Sequence, residues 1–205
     1  MFGRAGERAR DPIPIDADRP AVEAARRDPR GFEILYRRYV GQVYSFALYE
    51  LGSRHAAEDA TEEVFLRALA GLPRFEERGE ADGSTFRVWL FRICRNVLAN
   101  ERRHSRRHPQ EPLELAAESV APDDPAATVV DRDAARRAWR AVGRLPDDRR
   151  RALVLRFVHE MTSAEIGAVL GRSEGAVRVL IHRALAAVGR ELGAADRSAS
   201  DSRRR

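Results

Sequence analysis

Lysine is missing: the 205-residue chain carries 37 basic residues and every one is arginine. Arginine gives permanent, bidentate phosphate contacts. An arginine- and alanine-rich chain without lysine is also what GC-rich coding produces, so the deficit says little about binding. The formal net charge of +5 adds only weak support for a nucleic-acid partner. The single cysteine, Cys94, excludes an internal disulfide and a cysteine-based zinc cluster. It shares a helical face with Leu90, Ile93 and Val97, which predicts a buried, inert thiol. No stretch approaches the roughly 18 apolar residues of a membrane span, and the N-terminus lacks the apolar core of a secretory signal. The expectation is a cytoplasmic protein without membrane insertion. A glycine-rich phosphate loop, a nucleophile elbow and a carboxylate pair in an apolar setting are all absent, which predicts no enzyme, no cofactor and no small-molecule substrate. His104 and His108 stand four apart, but no carboxylate or thiol is near to complete a coordination shell, and no metal is expected.

What is present is a helix pair at Glu160–Ala186. Ala164, Ile166, Val169 and Leu170 give a first helix its apolar face, Gly171 breaks it, and Ser173 is placed to cap a second. The second helix has an apolar stripe of Val177, Ile181, Ala184 and Val188. Its opposite side carries Gly175, Ala176, Val179, His182, Arg183 and Ala186. A helix-turn-helix of this kind puts its second helix in a DNA major groove.

Residues 1–28 have scattered charge, prolines at 12, 14 and 20, and no sustained period, and read as disordered. From Gly31 to Leu51, Phe32, Leu35, Tyr36, Tyr39, Val43 and Phe46 recur at helical spacing and read as core. A helix from about His55 to Leu72 turns Ala57, Val64, Phe65 and Ala68 inward and Asp59, Glu62 and Glu63 outward. That acidic face is either solvated or a dock for a positively charged partner helix. A polar loop with Gly79 and Gly83 follows, and then a helix from about Phe86 to Arg103. It buries Phe86, Trp89, Leu90, Ile93 and Val97, and presents Arg92, Arg95, Asn96, Arg102 and Arg103 in a pattern suited to phosphates and base edges. From Pro109 to Asp131 six acidic residues meet no basic one, among four prolines, which reads as a linker. Helices over Asp133–Gly143 and Arg149–His159 lead to the helix-turn-helix, and the C-terminal SASDSRRR reads as a disordered tail. The fold class is therefore all-α: two small helical domains joined by an acidic linker, with the helix-turn-helix in the C-terminal one.

In this order, FEILYRRYVGQVYSFAL at 32–48, AEDATEEVFLRAL at 57–69, FRVWLFRICRNVLANERR at 86–103, RLPDDRRRALVLRFV at 144–158 and the helix-turn-helix resemble bacterial RNA polymerase sigma factors of the extracytoplasmic-function class. The resemblance implies domains at 29–107 (region 2) and 132–192 (region 4), a linker at 108–131, and flanking segments 1–28 and 193–205. It implies binding to core RNA polymerase, promoter DNA and in some cases an anti-sigma factor. By that likeness Asp59, Glu62 and Glu63 grip core polymerase, although glutamine is common where Glu62 stands. Arg92, Asn96, Asn100 and Arg103 match the helix that engages the minus-ten element, with Arg95 on the same basic face, and the loop at 74–85 matches one that captures a flipped base. Ser173, Glu174, Arg178, His182 and Arg183 fit the reader of the minus-thirty-five element. Val179 and Leu180 depart from a common Ser-Arg pair: Val179 could meet a thymine methyl, or the pair could pack against a partner such as an anti-sigma factor. The competing reading is a helix-turn-helix regulator that binds duplex DNA without polymerase. The opposed charges of linker and helices further suggest that the free protein hides its DNA-binding faces until polymerase separates the domains.

Overall fold

The computed structural model describes residues 17–76, 85–107 and 129–202, with side chains omitted at 104–107, 129–134, 136 and 194–202. The described residues form eight α-helices and no strand: α1 (Arg19–Arg27), α2 (Phe32–Leu51), α3 (Arg54–Gly71), α4 (Thr85–Arg107), α5 (Val129–Gly143), α6 (Asp147–Phe157), α7 (Ser163–Leu170) and α8 (Glu174–Ser202).

The first unit packs α2, α3 and α4 around one core. Leu35, Tyr39, Val43 and Phe46 fall every three to four residues along α2 and are almost completely buried. Gly52, at φ 70°, adopts the left-handed conformation that ends α2, its N–H donating to Leu48 O at 2.8 Å. Ser53 then opens α3 by accepting from the Ala56 N–H at 3.3 Å. From α4 come Phe86, Leu90, Phe91, Cys94 and Leu98, all at most 1% exposed. Cys94 is buried as expected, and its burial pushes the thiol well above the usual range. Tyr36, expected in the core, is instead 44% exposed: its ring packs edge-on to Phe65 at 4.8 Å but its other side faces out.

Two ends of the chain depart from the expected disorder. Residues 19–27 form α1, which buries Ala21, Val22 and Ala25. Asp18, just before it, is 2% exposed, accepts from the Tyr39 hydroxyl at 2.5 Å and pairs with Arg38. A nine-residue helix is shorter than the window in which a helical period declares itself, and its capture depends on a partner across the core. At the other end α8 runs to Ser202 rather than stopping near 192. Residues 108–128 of the expected linker, the tip of the 74–85 loop and residues 1–16 lie outside the described residues, as do the side chain of His104 and all of His108, while the last three linker positions, 129–131, already belong to α5.

The second unit is α5 to α8. Asp147 and Asp148 occupy the first turn of α6, where carboxylates favour the positive end of the helix dipole. Thr162 and Glu165 form a capping box at α7, with Glu165 N–H to Thr162 Oγ1 at 3.1 Å and Thr162 N–H to Glu165 Oε2 at 2.8 Å. Gly171 ends α7 at φ 69°. Gly167 sets the closeness of the α7–α8 turn, since a Cβ there would lie 2.6 Å from Arg172 O and 3.5 Å from Glu174 N. Both neighbours are backbone and cannot rotate away, so Gly167→Ala is expected to destabilise the second unit by about 2–3 kcal/mol. Urea unfolding followed by Trp139 fluorescence in a Trp89→Phe background measures this, and an unchanged midpoint would contradict the turn geometry.

Candidate nucleic-acid interface

The helix-turn-helix presents its second helix outward. Ser173 accepts from the Ala176 N–H at 3.3 Å and so starts α8 where the sequence places the start. Val177, Ala184 and Val188 are buried, with Ile181 packed against the same core, while Glu174, Gly175, Ala176, Arg178, Val179, His182, Arg183 and Ala186 are exposed. Glu174 and Arg178 form an i,i+4 ion pair. His182 and Arg183 are exposed beside them. The five expected reading residues therefore occur on one accessible surface.

On α4, Asn96, Asn100 and Arg103 are exposed along a ridge, as expected. The other members of the basic face divide. Arg92 Nε donates to Ala168 O of α7 at 2.6 Å, and Arg95 is half-buried, its guanidinium near Gly171. Arg102 does not belong to the outward face at all: it turns back to Glu50 and Asp147, and its side chain is 21% exposed. Helical periodicity placed it within one residue of the outward ridge, but a carboxylate from a neighbouring helix claimed it.

Asp59 and Glu62 are exposed on α3 and Glu63 half-exposed, paired through Oε1 with Arg67 Nε at 2.6 Å. Beside them lies a groove of about 520 Å³ between α2 and α3, lined by Tyr36, Val40, Tyr44, Phe65, Leu66 and Leu69 among others, with Glu58 and Glu62 on its rim. Leu66 is 55% exposed. The acidic face thus borders an apolar groove that charge patterning alone did not reveal.

The two units touch, and the contact is largely ionic. Glu50, in the last turn of α2, has a fully buried side chain held by Arg102 at 3.2 Å and by Arg151 of α6 at 2.9 Å, with Arg150 of α6 at 3.9 Å. Asp147 joins the cluster, at 2.7 Å from Arg102 and 2.8 Å from Arg150. Burial opposes its charge, yet Arg102, then Arg150 and Arg151, hold the carboxyl below the usual range. Arg87 of α4 donates to His159 O and lies 3.7 Å from Glu165. The His159 ring stands against Phe46 and Phe91, with centroids at 5.8 and 5.3 Å, and Tyr49 meets Trp139 at 5.9 Å. Burial, reinforced by the charge of Arg87, pushes His159 down to about 3, so it is neutral in this arrangement. Glu50 Oε1, Tyr49 Oη, Arg150 Nε and His159 Nε2 are buried without a hydrogen bond. A seam of this kind holds firmly while its charges match, yet it gains hydration when it opens.

Comparison with known proteins agrees with this architecture. Residues 35–108 match Sigma-70 region 2 and residues 135–188 match Sigma-70, region 4. The chain is 36% identical over 142 residues to the ECF RNA polymerase sigma factor ShbA of Streptomyces griseus, an alignment covering 65% of this chain and 70% of that one. The chain belongs to the ECF sigma factors. It is also 32% identical over 165 residues to the ECF sigma factor BldN of Streptomyces coelicolor, covering 78% of this chain and 60% of that longer protein. Among solved structures, CnrH in complex with the cytosolic domain of CnrY superposes with a TM-score of 0.62 at 27% identity, over 87% of this chain and 99% of that one.

For this sigma factor, sequence patterning located the three outward faces but missed Glu50, Arg87, Arg150, Arg151 and His159. Glu50 sits at the C-terminal end of α2, after the largely apolar stretch 43–49, a place where a carboxylate reads as solvated. No helix among the described residues is long and apolar enough to cross a membrane.

Proposed function

We propose that this sigma factor engages core RNA polymerase through α3, the minus-ten element through α4 and the minus-thirty-five element through α8, and performs no catalysis of its own. The acidic residues Asp59, Glu62 and Glu63 beside an exposed apolar groove suit a cationic helical partner, because the charges orient it and the groove supplies buried area. Arg92, Arg95, Asn96, Asn100 and Arg103 supply phosphate and base-edge contacts on α4, and Ser173, Glu174, Arg178, His182 and Arg183 do so on α8. Its work belongs in the cytoplasm, where polymerase is.

The observation that carries the reading is the acidic α3 face beside an exposed apolar groove, on a chain that also presents the exposed face of α8. The Arg92–Ala168 contact bears on the state in which both DNA elements can be reached. Elements named for positions ten and thirty-five are about 25 base pairs apart, or about 85 Å of B-form duplex. With Arg92 of α4 hydrogen-bonded to α7, the two readers cannot lie on both elements at once. Residues 107 to 129 can span about 75 Å when extended, to which the size of each unit adds. The docked arrangement is thus the resting form, and promoter binding requires the seam to part. It constrains the minus-ten reader, since Arg92 is engaged and Arg95 half-buried, and leaves α8 accessible.

The test is to add the protein to bacterial core polymerase and transcribe genomic fragments. Co-elution with core and new start sites supports the reading. Tight duplex binding without any association with core would overturn it in favour of a regulator acting alone.

A further inference from the structure

Val179 is 49% exposed in the second turn of α8, whereas Leu180, its neighbour, packs against the core. The apolar pair that replaces polar residues at these positions is therefore split, with one member structural and the other presented to the outside. Around Val179 the exposed side chains are Arg178, His182 and Arg183. The next exposed large apolar residue on the helix, Leu185, lies six residues on, about 120° around the axis. A single valine among cations is too small a patch for a protein partner, which needs contiguous apolar area. It does suit a polyanion with an isolated methyl group in its groove.

One turn before Val179 on the same face stand Gly175 and Ala176, and one turn after it stand His182 and Arg183, all exposed. A Cβ on Gly175 would meet nothing within 4 Å, so no packing inside the molecule calls for glycine there, and glycine weakens a helix. With little side chain on its N-terminal side, Val179 is open to the outside there, and His182 and Arg183 stand on its other side. Its β-branch also fixes χ1 in a helix, so the two methyls are held in place before any contact is made.

We propose that Val179 selects a thymine in the minus-thirty-five element through contact with its C5 methyl group. This rests on the reading of α8 as the duplex reader. In the major groove that methyl distinguishes thymine from every other unmodified base, and apolar side chains are its natural complement. Arg183 and His182 flank the contact and hold the helix in register against phosphates and neighbouring bases. Deleting one methyl from such a contact is worth about fourfold in affinity, or ~0.8 kcal/mol at ~1.4 kcal/mol per factor of ten.

The experiment uses holoenzyme made with the full chain and a promoter that it selects from genomic DNA. Each thymine of the minus-thirty-five element is replaced in turn by deoxyuridine, which removes only the methyl, and promoter binding is measured for the wild type and for Val179→Ala. The expected result is one position where uracil weakens the wild type about fourfold and leaves the variant unaffected, the variant itself binding the natural promoter about fourfold less well. Val179 is exposed, so the variant folds, which unchanged circular dichroism verifies. If no position responds to uracil, or the same response persists in Val179→Ala, the proposal is overturned and the valine belongs to a protein contact. If wild-type holoenzyme gives no promoter-specific transcript at all, it is the underlying reading of the chain that fails.

Discussion

Replacing Glu50 with alanine is expected to open the molecule. The carboxylate is completely buried and lies against Arg102, Arg150 and Arg151, so its loss leaves three guanidinium groups crowded together, with Asp147 and Asp148, the latter 3.9 Å from Arg151, as counter-charges. Removing one partner from a buried ion cluster costs about 3–5 kcal/mol, which shifts the docked equilibrium by a factor of roughly 100 to 4,000. X-ray scattering of the free variant should show a larger radius of gyration than the wild type. The double variant Arg150→Ala/Arg151→Ala attacks the same cluster from α6 and should expand the protein equally, which separates opening of the seam from damage inside the first unit. Unchanged dimensions in both variants would mean that the seam does not hold the units together.

Acid should act in the same direction. Above pH 6.5 His159 is neutral in both arrangements and docking is at full strength; as pH falls from 6.5 toward about 3, the separated form takes up a proton that the docked form refuses. Docking then weakens by about 1.4 kcal/mol per pH unit. His159→Phe keeps a ring against Phe46 and Phe91 without the titration, and should flatten the dependence of the radius of gyration on pH between 6.5 and 5.

The second large effect lies on α3. Asp59→Arg, Glu62→Arg and Glu63→Arg together reverse the acidic face while leaving every core residue of the helix in place. The loss to the helix itself is small, about 0.3–0.5 kcal/mol for the Glu63–Arg67 pair. Three reversed contacts with a cationic partner are expected to weaken core polymerase binding at least a hundredfold, about 2.7 kcal/mol or more. Duplex binding through α8 should be unaffected, since α8 belongs to the other unit. A triple variant that still bound core with wild-type affinity would move the polymerase grip off this face.

Much of the architecture was legible because helical periodicity and turn chemistry are local. Val177, Ile181, Ala184 and Val188 define the buried side of α8 from spacing alone, and Gly171 and Ser173 punctuate it. Cys94 falls on the inner face of α4 for the same reason. What stayed hidden depends on partners distant in sequence. The α1 helix is stabilised by Asp18 reaching Tyr39, twenty-one residues away. Arg102 looked like a member of the DNA-facing ridge because nothing near it in sequence announces Glu50, fifty-two positions earlier. Tyr36 reads as core from its spacing, yet it lines an outward groove with Leu66 and Leu69. Burial of an apolar residue and solvation of a charged one are the right defaults for an isolated helix. They fail where a surface is shaped for another molecule or for the other half of the same chain.

On the proposed reading, one sigma factor carries two DNA readers that rest together and work apart. The measurement is the distance between the units in a transcribing complex. Cysteines introduced at the exposed positions Arg27 and Arg190 accept a donor and an acceptor dye, while Cys94, buried and held protonated, does not compete for label. High energy transfer is expected in the free protein, with a fall on addition of core polymerase and promoter as transcript appears. Transcription from a complex whose energy transfer remains at the free-protein value would contradict the account.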